Sequence, residues 1–125
     1  MARKLGTNLY ELVVQYDGTA DTATITRNLG VLNRDWTEIV QVSMANQTAG
    51  TGAQNYTFVL KVGSTAVTAT SGNIANATKD ATATVSGLGT GLGVLTEGAR
   101  LDVTITYAAG VTNGPKAPVT ILYRA

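Results

Sequence analysis

The chain has 125 residues, a net charge of +1, no cysteine, no histidine and only 14% charged residues. The length favours a single domain. The missing residue types exclude disulfide frameworks and thiolate metal sites and remove histidine, the commonest general base, while the small net charge gives no indication of nucleic-acid binding.

The chain begins with a short basic segment followed by an apolar strand. Met1–Asn8 carries the adjacent cations Arg3 and Lys4 but no apolar run behind them, so we expect a flexible N-terminal arm and no signal peptide. Residues 9–125 are expected to form one β-sandwich domain. Leu9–Asp17 is predicted as a strand, and Asp17-Gly18 is a turn pair. Together with Thr22–Arg27, this segment predicts a hairpin from Leu9 to Arg27.

Two strands in the middle of the chain show the alternation of a half-buried β-strand. Thr37–Ala45 is predicted to place Val40, Val42 and Met44 on the face opposite Ile39, Gln41 and Ser43. Asn55–Val62 alternates more clearly, with four apolar side chains on one face: Tyr56, Phe58, Leu60 and Val62. We therefore expect Asn55–Val62 to lie at the centre of the core.

The second half continues with short strands separated by small, glycine-rich segments. We predict strands at Ala66–Thr70, Ala81–Ser86, Ala99–Tyr107 and Ala117–Arg124, with a connection at Gly87–Gly93 between them. In Ala99–Tyr107, Leu101, Val103, Ile105 and Tyr107 alternate with Asp102, Thr104 and Thr106, and we expect this strand, like Asn55–Val62, to be central in the sandwich. The fold class is therefore all-β: an antiparallel, jelly-roll-like β-sandwich of seven or eight strands.

No motif in the chain indicates catalysis or a cofactor. Gly87–Gly93 lacks the following helix and lysine of a phosphate loop. Asp17, Asp21 and Glu97 carry ligands suited to calcium, but their spacing is not that of an EF-hand, and an Asp-Gly turn with solvated acids explains them better. We therefore expect no enzymatic activity, no metal and no cofactor.

Four residues are candidates for partner binding: Arg3, Lys4, Arg34 and Trp36. The arm cations Arg3 and Lys4 suit an acidic partner surface. Arg34 flanks Trp36, and Trp and Arg are favoured at interface hot spots. Three interpretations of Trp36 remain open, namely core or rim packing, an interface anchor, and a platform for stacking on sugars.

The chain resembles the small capsid decoration (cement) proteins of tailed bacteriophages. The matching features are the basic arm Met1–Asn8, strands rich in Thr, Ala and Gly, and the run Asn55–Val62 followed by Gly63-Ser64. The strand Ala99–Tyr107 and a final strand that reaches almost to Ala125 also match. The resemblance extends over the whole chain and implies a jelly-roll or related β-sandwich.

The resemblance also implies function and location. It implies a non-catalytic structural protein that binds the major capsid protein on the outside of a phage capsid and stabilises the shell, with itself as a further partner in a homotrimer. The expected location is the virion surface after synthesis in the host cytoplasm, with neither nucleic acid nor membrane as partner. The alternative is a carbohydrate- or receptor-binding β-sandwich module of a phage fibre or tail.

Overall fold

The computed structural model describes residues 2–6, 8–86 and 95–125, with the side chains of Ala2 and Arg3 left out. These residues form the following strands: β1 (Ala2–Lys4), β2 (Leu9–Asp17), β3 (Ile25–Val31), β4 (Glu38–Ala45), β5 (Asn55–Val62), β6 (Thr65–Ala66), β7 (Ile74–Ala75), β8 (Thr82–Ser86), β9 (Arg100–Tyr107) and β10 (Lys116–Arg124). The predicted connection Gly87–Gly93 lies outside the described residues. Nowhere in the described ranges is there a helix long and apolar enough to cross a membrane.

The strands form two antiparallel sheets. The first sheet has the order β1-β2-β10-β4-β8, and the second has the order β3-β9-β5-β6, with β7 also paired to β5. From β2 to β5 the chain changes sheet at each step, and it does so again from β7 to β10. This alternation makes the domain a jelly-roll-like β-sandwich, as the sequence predicts. Seven strands have five or more residues, and the other three are two or three residues long.

The core lies between the two sheets and follows the predicted alternation. Tyr56, Phe58, Leu60 and Val62 on β5 are all buried. They face the same way as Leu101, Val103, Ile105 and Tyr107 on β9, because each of these pairs is matched in register across the two strands. The first sheet contributes Val119, Ile121 and Tyr123 from β10. The central position predicted for β5 and β9 is confirmed.

The predicted hairpin from Leu9 to Arg27 is wrong. Its first strand, Leu9–Asp17, is present, but β2 pairs with β1 and β10 in the first sheet, whereas β3 pairs with β9 in the second. After Asp17 the chain makes a turn closed by a hydrogen bond from the Asp21 N–H to the Gly18 carbonyl. A local turn signal is therefore compatible with a change of sheet, because turn chemistry specifies the reversal but not the strand that follows.

A β-bulge changes which residues of β4 face the core. Between the register pairs Leu122–Gln41 and Tyr123–Ile39, Val40 is the extra residue on β4. A bulge of this kind interrupts strict alternation. Consequently Ile39, Val42 and Met44 are buried and Val40 is only half-buried, which corrects the predicted grouping of Val40 with Val42 and Met44.

Two polar residues of β9 are buried on the face opposite its apolar side chains. Asp102 is 5% exposed and Thr104 is 9% exposed. The Asp102 carboxylate accepts hydrogen bonds from Arg100 Nε at 2.8 Å and Asn28 Nδ2 at 3.2 Å, and Thr104 pairs with the hydroxyl of Thr26. The neighbouring polar side chains cover this face, so polarity alone misidentifies these positions as solvent-exposed.

The basic arm is not separate from the sheet. Residues Ala2–Lys4 form the edge strand β1, which pairs with β2 through three register positions. The Leu5 N–H donates to the Leu9 carbonyl at 2.7 Å and closes the connection. This differs from the expectation that the first strand begins at Leu9.

Candidate partner-binding surface

Five aromatic and cationic side chains meet at one corner of the sandwich. This Tyr10 corner consists of Lys4, Tyr10, Arg34, Trp36 and Tyr123. Lys4 is paired in register with Tyr10 on β2, and Tyr10 is paired with Tyr123 on β10. Side chains matched in this way share one face of a sheet. The register of three adjacent strands therefore places a cation beside two tyrosines.

The aromatic rings of the corner stack on one another. Tyr10 and Tyr123 have ring centroids 5.4 Å apart with 14° between their planes. Trp36 lies on Tyr123 with 3.9 Å between centroids and again 14° between planes. Trp36 and Tyr123 are each 1% exposed, whereas Tyr10 is half-buried. The stack therefore runs from the core to the surface.

Two cations meet the outer end of this stack. The guanidinium carbon of Arg34 lies 4.4 Å from the centroid of the Tyr10 ring, well within the range of cation–π attraction. Lys4 Nζ lies 6.0 Å from the same centroid, at the limit of that range. Both cations are exposed, so the corner offers positive charge held over an aromatic surface. Burial raises the pKa of the Tyr123 phenol, and the positive charge of Arg34 opposes this rise.

The loop that carries Arg34 and Trp36 is held by hydrogen bonds to the chain before β9. The Trp36 N–H donates to the Leu95 carbonyl and the Leu95 N–H donates to the Trp36 carbonyl, each at 2.8 Å. Asp35 Oδ1 accepts a hydrogen bond from the Glu97 N–H at 2.7 Å. The buried Nε1 of Trp36 has no hydrogen-bond partner among the described residues.

The structure brings together three of the four residues that the sequence singled out. Lys4 and Arg34 share the Tyr10 ring, while Trp36 forms the buried inner end of the stack and does not reach the surface of the isolated chain. Among the three interpretations of Trp36, the packing one matches its position. The side chain of Arg3 is not described, and its backbone pairs with Glu11. Tyr10, which sequence reasoning missed, could have been found from the inward alternation of Leu9–Asp17.

A second polar cluster lies at the opposite end of β2. The Tyr16 hydroxyl donates to Asp21 Oδ2 at 2.8 Å and lies 2.5 Å from the Tyr107 hydroxyl. Arg27 Nη2 forms an ion pair with Asp21 Oδ1 at 2.6 Å. Burial is the largest cause of the raised pKa values of both tyrosines. The pKa of Tyr107 is raised to about 12, and that of Tyr16 lies well above its ordinary value.

The cluster adjoins an open pocket of about 380 Å³ between β2 and β3. Gln15, Asp17, Thr19, Arg27 and Asn28 supply its polar groups. Asp17 Oδ1 is occupied by the N–H and hydroxyl of Thr19, and these hydrogen bonds lower the pKa of the Asp17 carboxyl.

The acidic residues considered for calcium are not brought together as a metal site. Asp21 is bonded to Tyr16 and Arg27, and Glu97 lies beside Asp35 instead. Within the described ranges, no group of three or more acidic side chains is placed to hold a metal ion.

Comparisons with known proteins find solved structures that are similar to this chain at low sequence identity. No protein-family model matches the chain, and no curated protein matches it. A chain in the acid-stable capsid of Helicobacter pylori bacteriophage KHP30 is 13% identical with a TM-score of 0.49, over 100% of this chain and 94% of that one. A chain in the cyanophage Pam1 capsid is 20% identical with a TM-score of 0.45, over 98% and 88% respectively. The sugar-binding C-terminal domain of EclA is 11% identical with a TM-score of 0.38, over 89% and 76%.

Proposed function

We propose that the protein is a non-catalytic structural protein that binds the outside of a phage capsid and stabilises the shell, as a homotrimer. The Tyr10 corner is the observation that carries this proposal. It presents Arg34 and Lys4 over one aromatic ring. Aromatic and arginine side chains held in this way are typical of interface hot spots.

The corner is suited to an acidic surface of the major capsid protein. The stack fixes the position of Arg34, so less side-chain freedom is lost when it binds a carboxylate. An exposed ion pair contributes only about 0–1 kcal/mol. A trimer would present three corners at once, and linked weak contacts multiply. Binding to the assembled shell alone would then stabilise the shell by mass action.

Sedimentation with undecorated shells of the encoding phage tests this proposal. The K4A/R34A double variant is expected to sediment with the shells less than the unchanged protein, and the difference should be largest at low salt, because salt screens the electrostatic contacts that only the unchanged protein makes. Equal occupancy of the two proteins across the salt series would contradict the proposal.

K79A is the matched control for this experiment. Lys79 is an exposed cation paired with Asp80, and it precedes β8, whose Thr82 pairs with Ala45 at the end of β4 away from the Tyr10 corner. Its removal is expected to leave occupancy unchanged. A fall as large as that of the double variant would attribute binding to net charge rather than to the corner.

The arm, which contributes Lys4 to the Tyr10 corner, can be tested by truncation while Arg34 stays in place. Removing residues 1–5 leaves intact the hydrogen bond from the Ala125 N–H to the Asn8 carbonyl. It deletes the three register pairs of β1, the hydrogen bond from the Leu5 N–H to the Leu9 carbonyl and the Lys4 contact with the Tyr10 ring. We expect a nearly unchanged melting temperature together with weaker attachment to shells, with the largest difference at low salt, where the contacts of the arm cations are least screened. Unchanged attachment would leave the Arg3 and Lys4 side chains without a role in capsid binding.

The alternative is a carbohydrate-binding module, and the polar pocket between β2 and β3 favours it. Gln15, Arg27 and Asn28 provide planar hydrogen-bonding groups at that pocket. Trp36 is buried and offers no ring for stacking on a sugar. Binding on a glycan array that is lost in R27A and N28A, with no shell binding, would favour the alternative.

A further inference from the structure

We infer that β1 is an exchangeable strand, which in the assembled oligomer pairs with β2 of a neighbouring copy instead of its own. The inference rests on the proposed homo-oligomer and names the contact that builds it. Lys4 of one copy would then complete the Tyr10 corner of the next, so the partner-binding surface would be composed of two chains.

The first observation is the small attachment of β1. It meets β2 at three register positions, Ala2–Leu12, Arg3–Glu11 and Lys4–Tyr10, while β10 meets the other edge of β2 at nine. The β2 edge is formed without β1, and identical chains offer identical edges. Exchange replaces each contact within a chain by the identical contact between two chains, so its free-energy cost is little more than that of association.

The second observation concerns the hinge between β1 and β2, of which Leu5, Gly6 and Asn8 are described. Asn8 has φ 66° in the closed hairpin. This left-handed conformation is unfavourable for residues other than glycine, although asparagine adopts it more readily than most. The Asn8 carbonyl is held by the Ala125 N–H at 3.0 Å, so the chain after this point is anchored. A short hinge with one unfavourable conformation promotes strand exchange, because opening the hinge removes that conformation.

The third observation is the exposure of Leu5. Its side chain is 42% exposed, and among the described residues only Leu5 and Val31 are exposed large hydrophobic residues. An apolar side chain at the hinge itself is solvent-exposed in the closed hairpin. In an exchanged assembly, the hinge crosses between two copies, where Leu5 would be covered by a neighbour.

Introduced thiols test the exchange directly, because the chain has no cysteine of its own. R3C and E11C lie at paired positions on β1 and β2, within disulfide reach in an antiparallel pair. The two single variants, one isotopically labelled, are mixed without shells, unfolded and refolded together, and oxidised. We expect the disulfide between R3C and E11C chains as the main product.

Controls separate exchange from random collision. Replacing R3C by K79C, which lies on another part of the surface, should abolish the mixed product. The R3C/E11C double variant should form disulfide-linked multimers on a non-reducing gel. The inference would be overturned if the double variant ran as a monomer and the mixture of single variants contained only disulfides between two R3C chains or two E11C chains. A strictly monomeric native mass would also overturn it.

Variants of the hinge provide a second test that leaves the paired positions intact. N8G removes the cost of the left-handed conformation, so it should favour the closed hairpin and reduce the multimer yield. N8V should increase the yield, because a β-branched residue disfavours that conformation. Equal yields in both would overturn the hinge mechanism. All of these measurements are made without shells, so their failure is distinguishable from a failure of capsid binding.

Discussion

The indole ring of Trp36 lies nearly parallel to the phenol ring of Tyr123, with 3.9 Å between ring centroids and 14° between the ring planes. Trp36 comes from the loop before β4 and Tyr123 from β10, so this contact fixes the loop to the first sheet. Arg34 is two residues away from Trp36 on the same loop. Its position over Tyr10 therefore depends on the buried stack.

This dependence predicts different effects for two neighbouring substitutions. W36A should cost about 3–5 kcal/mol in the free energy of unfolding, the usual cost of removing a buried aromatic side chain. R34A should cost less than about 1 kcal/mol, because it removes an exposed cation–π contact. Denaturant unfolding of both variants measures these costs. Similar losses in the two variants would contradict the separation between a supporting Trp36 and a surface-exposed Arg34.

Phe58 tests the position of the core. It is 1% exposed on β5, opposite Ile105 of β9. F58A should lower the free energy of unfolding by about 3–5 kcal/mol, with T57A on the other face of the same strand as the control of small effect. A loss below about 1 kcal/mol in F58A would place Phe58 outside the core.

Buried tyrosines predict a fall in stability at alkaline pH. The folded-state pKa of Tyr107 is raised from its ordinary value of 10.0 to about 12, first by burial, and burial also raises those of Tyr16 and Tyr56. A group with a raised folded-state pKa loses its proton more readily when unfolded. The stability that these buried tyrosines contribute is therefore fully present below pH 10.0 and is lost as the pH rises toward about 12.

Melting temperatures between pH 8 and about pH 12 check this expectation. Y107F should show a shallower decline above pH 10 than the unchanged protein, because one of the buried phenols no longer titrates. An identical decline in both proteins would remove Tyr107 from the explanation.

Asn76 holds two loops together at one end of the sandwich. It is fully buried, and its Nδ2 faces three backbone carbonyls, those of Thr51 at 3.1 Å, Gly52 at 3.3 Å and Asn113 at 3.0 Å. N76A should cost about 1–3 kcal/mol, because buried carbonyls lose their donor. N76D should cost more, because it places a carboxylate against the same carbonyls. Thermal unfolding in which N76D is as stable as N76A would contradict this role.

The sequence predicted those parts of the fold that depend on local alternation. Leu9–Asp17 and Asn55–Val62 are found with the predicted bounds, because each has an uninterrupted apolar face. Ile25–Val31 was displaced from the predicted Thr22–Arg27, because Asn28 and Gly30 are turn-forming residues and here form a bulge with Leu29 as the extra residue. The bulge at Gly30, with φ 119°, is compatible with pairing to β9.

The corner itself could be predicted only in part. Lys4, Arg34 and Trp36 were recognisable as residue types suited to an interface, but nothing local shows that Tyr10 and Tyr123 are neighbours. Those two residues are more than 100 positions apart, and their pairing follows from the long-range register of β2 and β10. Asn76 was missed for the same reason, since the segment around it has no period and its three partners lie on other loops.

The rupture temperature of undecorated shells, measured with and without saturating protein, tests shell stabilisation most directly. A protein that binds the assembled shell alone should raise the rupture temperature in proportion to occupancy. K79A should raise it equally, and K4A/R34A should require more protein for the same rise. If the shells are fully occupied and rupture at an unchanged temperature, the protein binds capsids without stabilising them, which would contradict the proposed function.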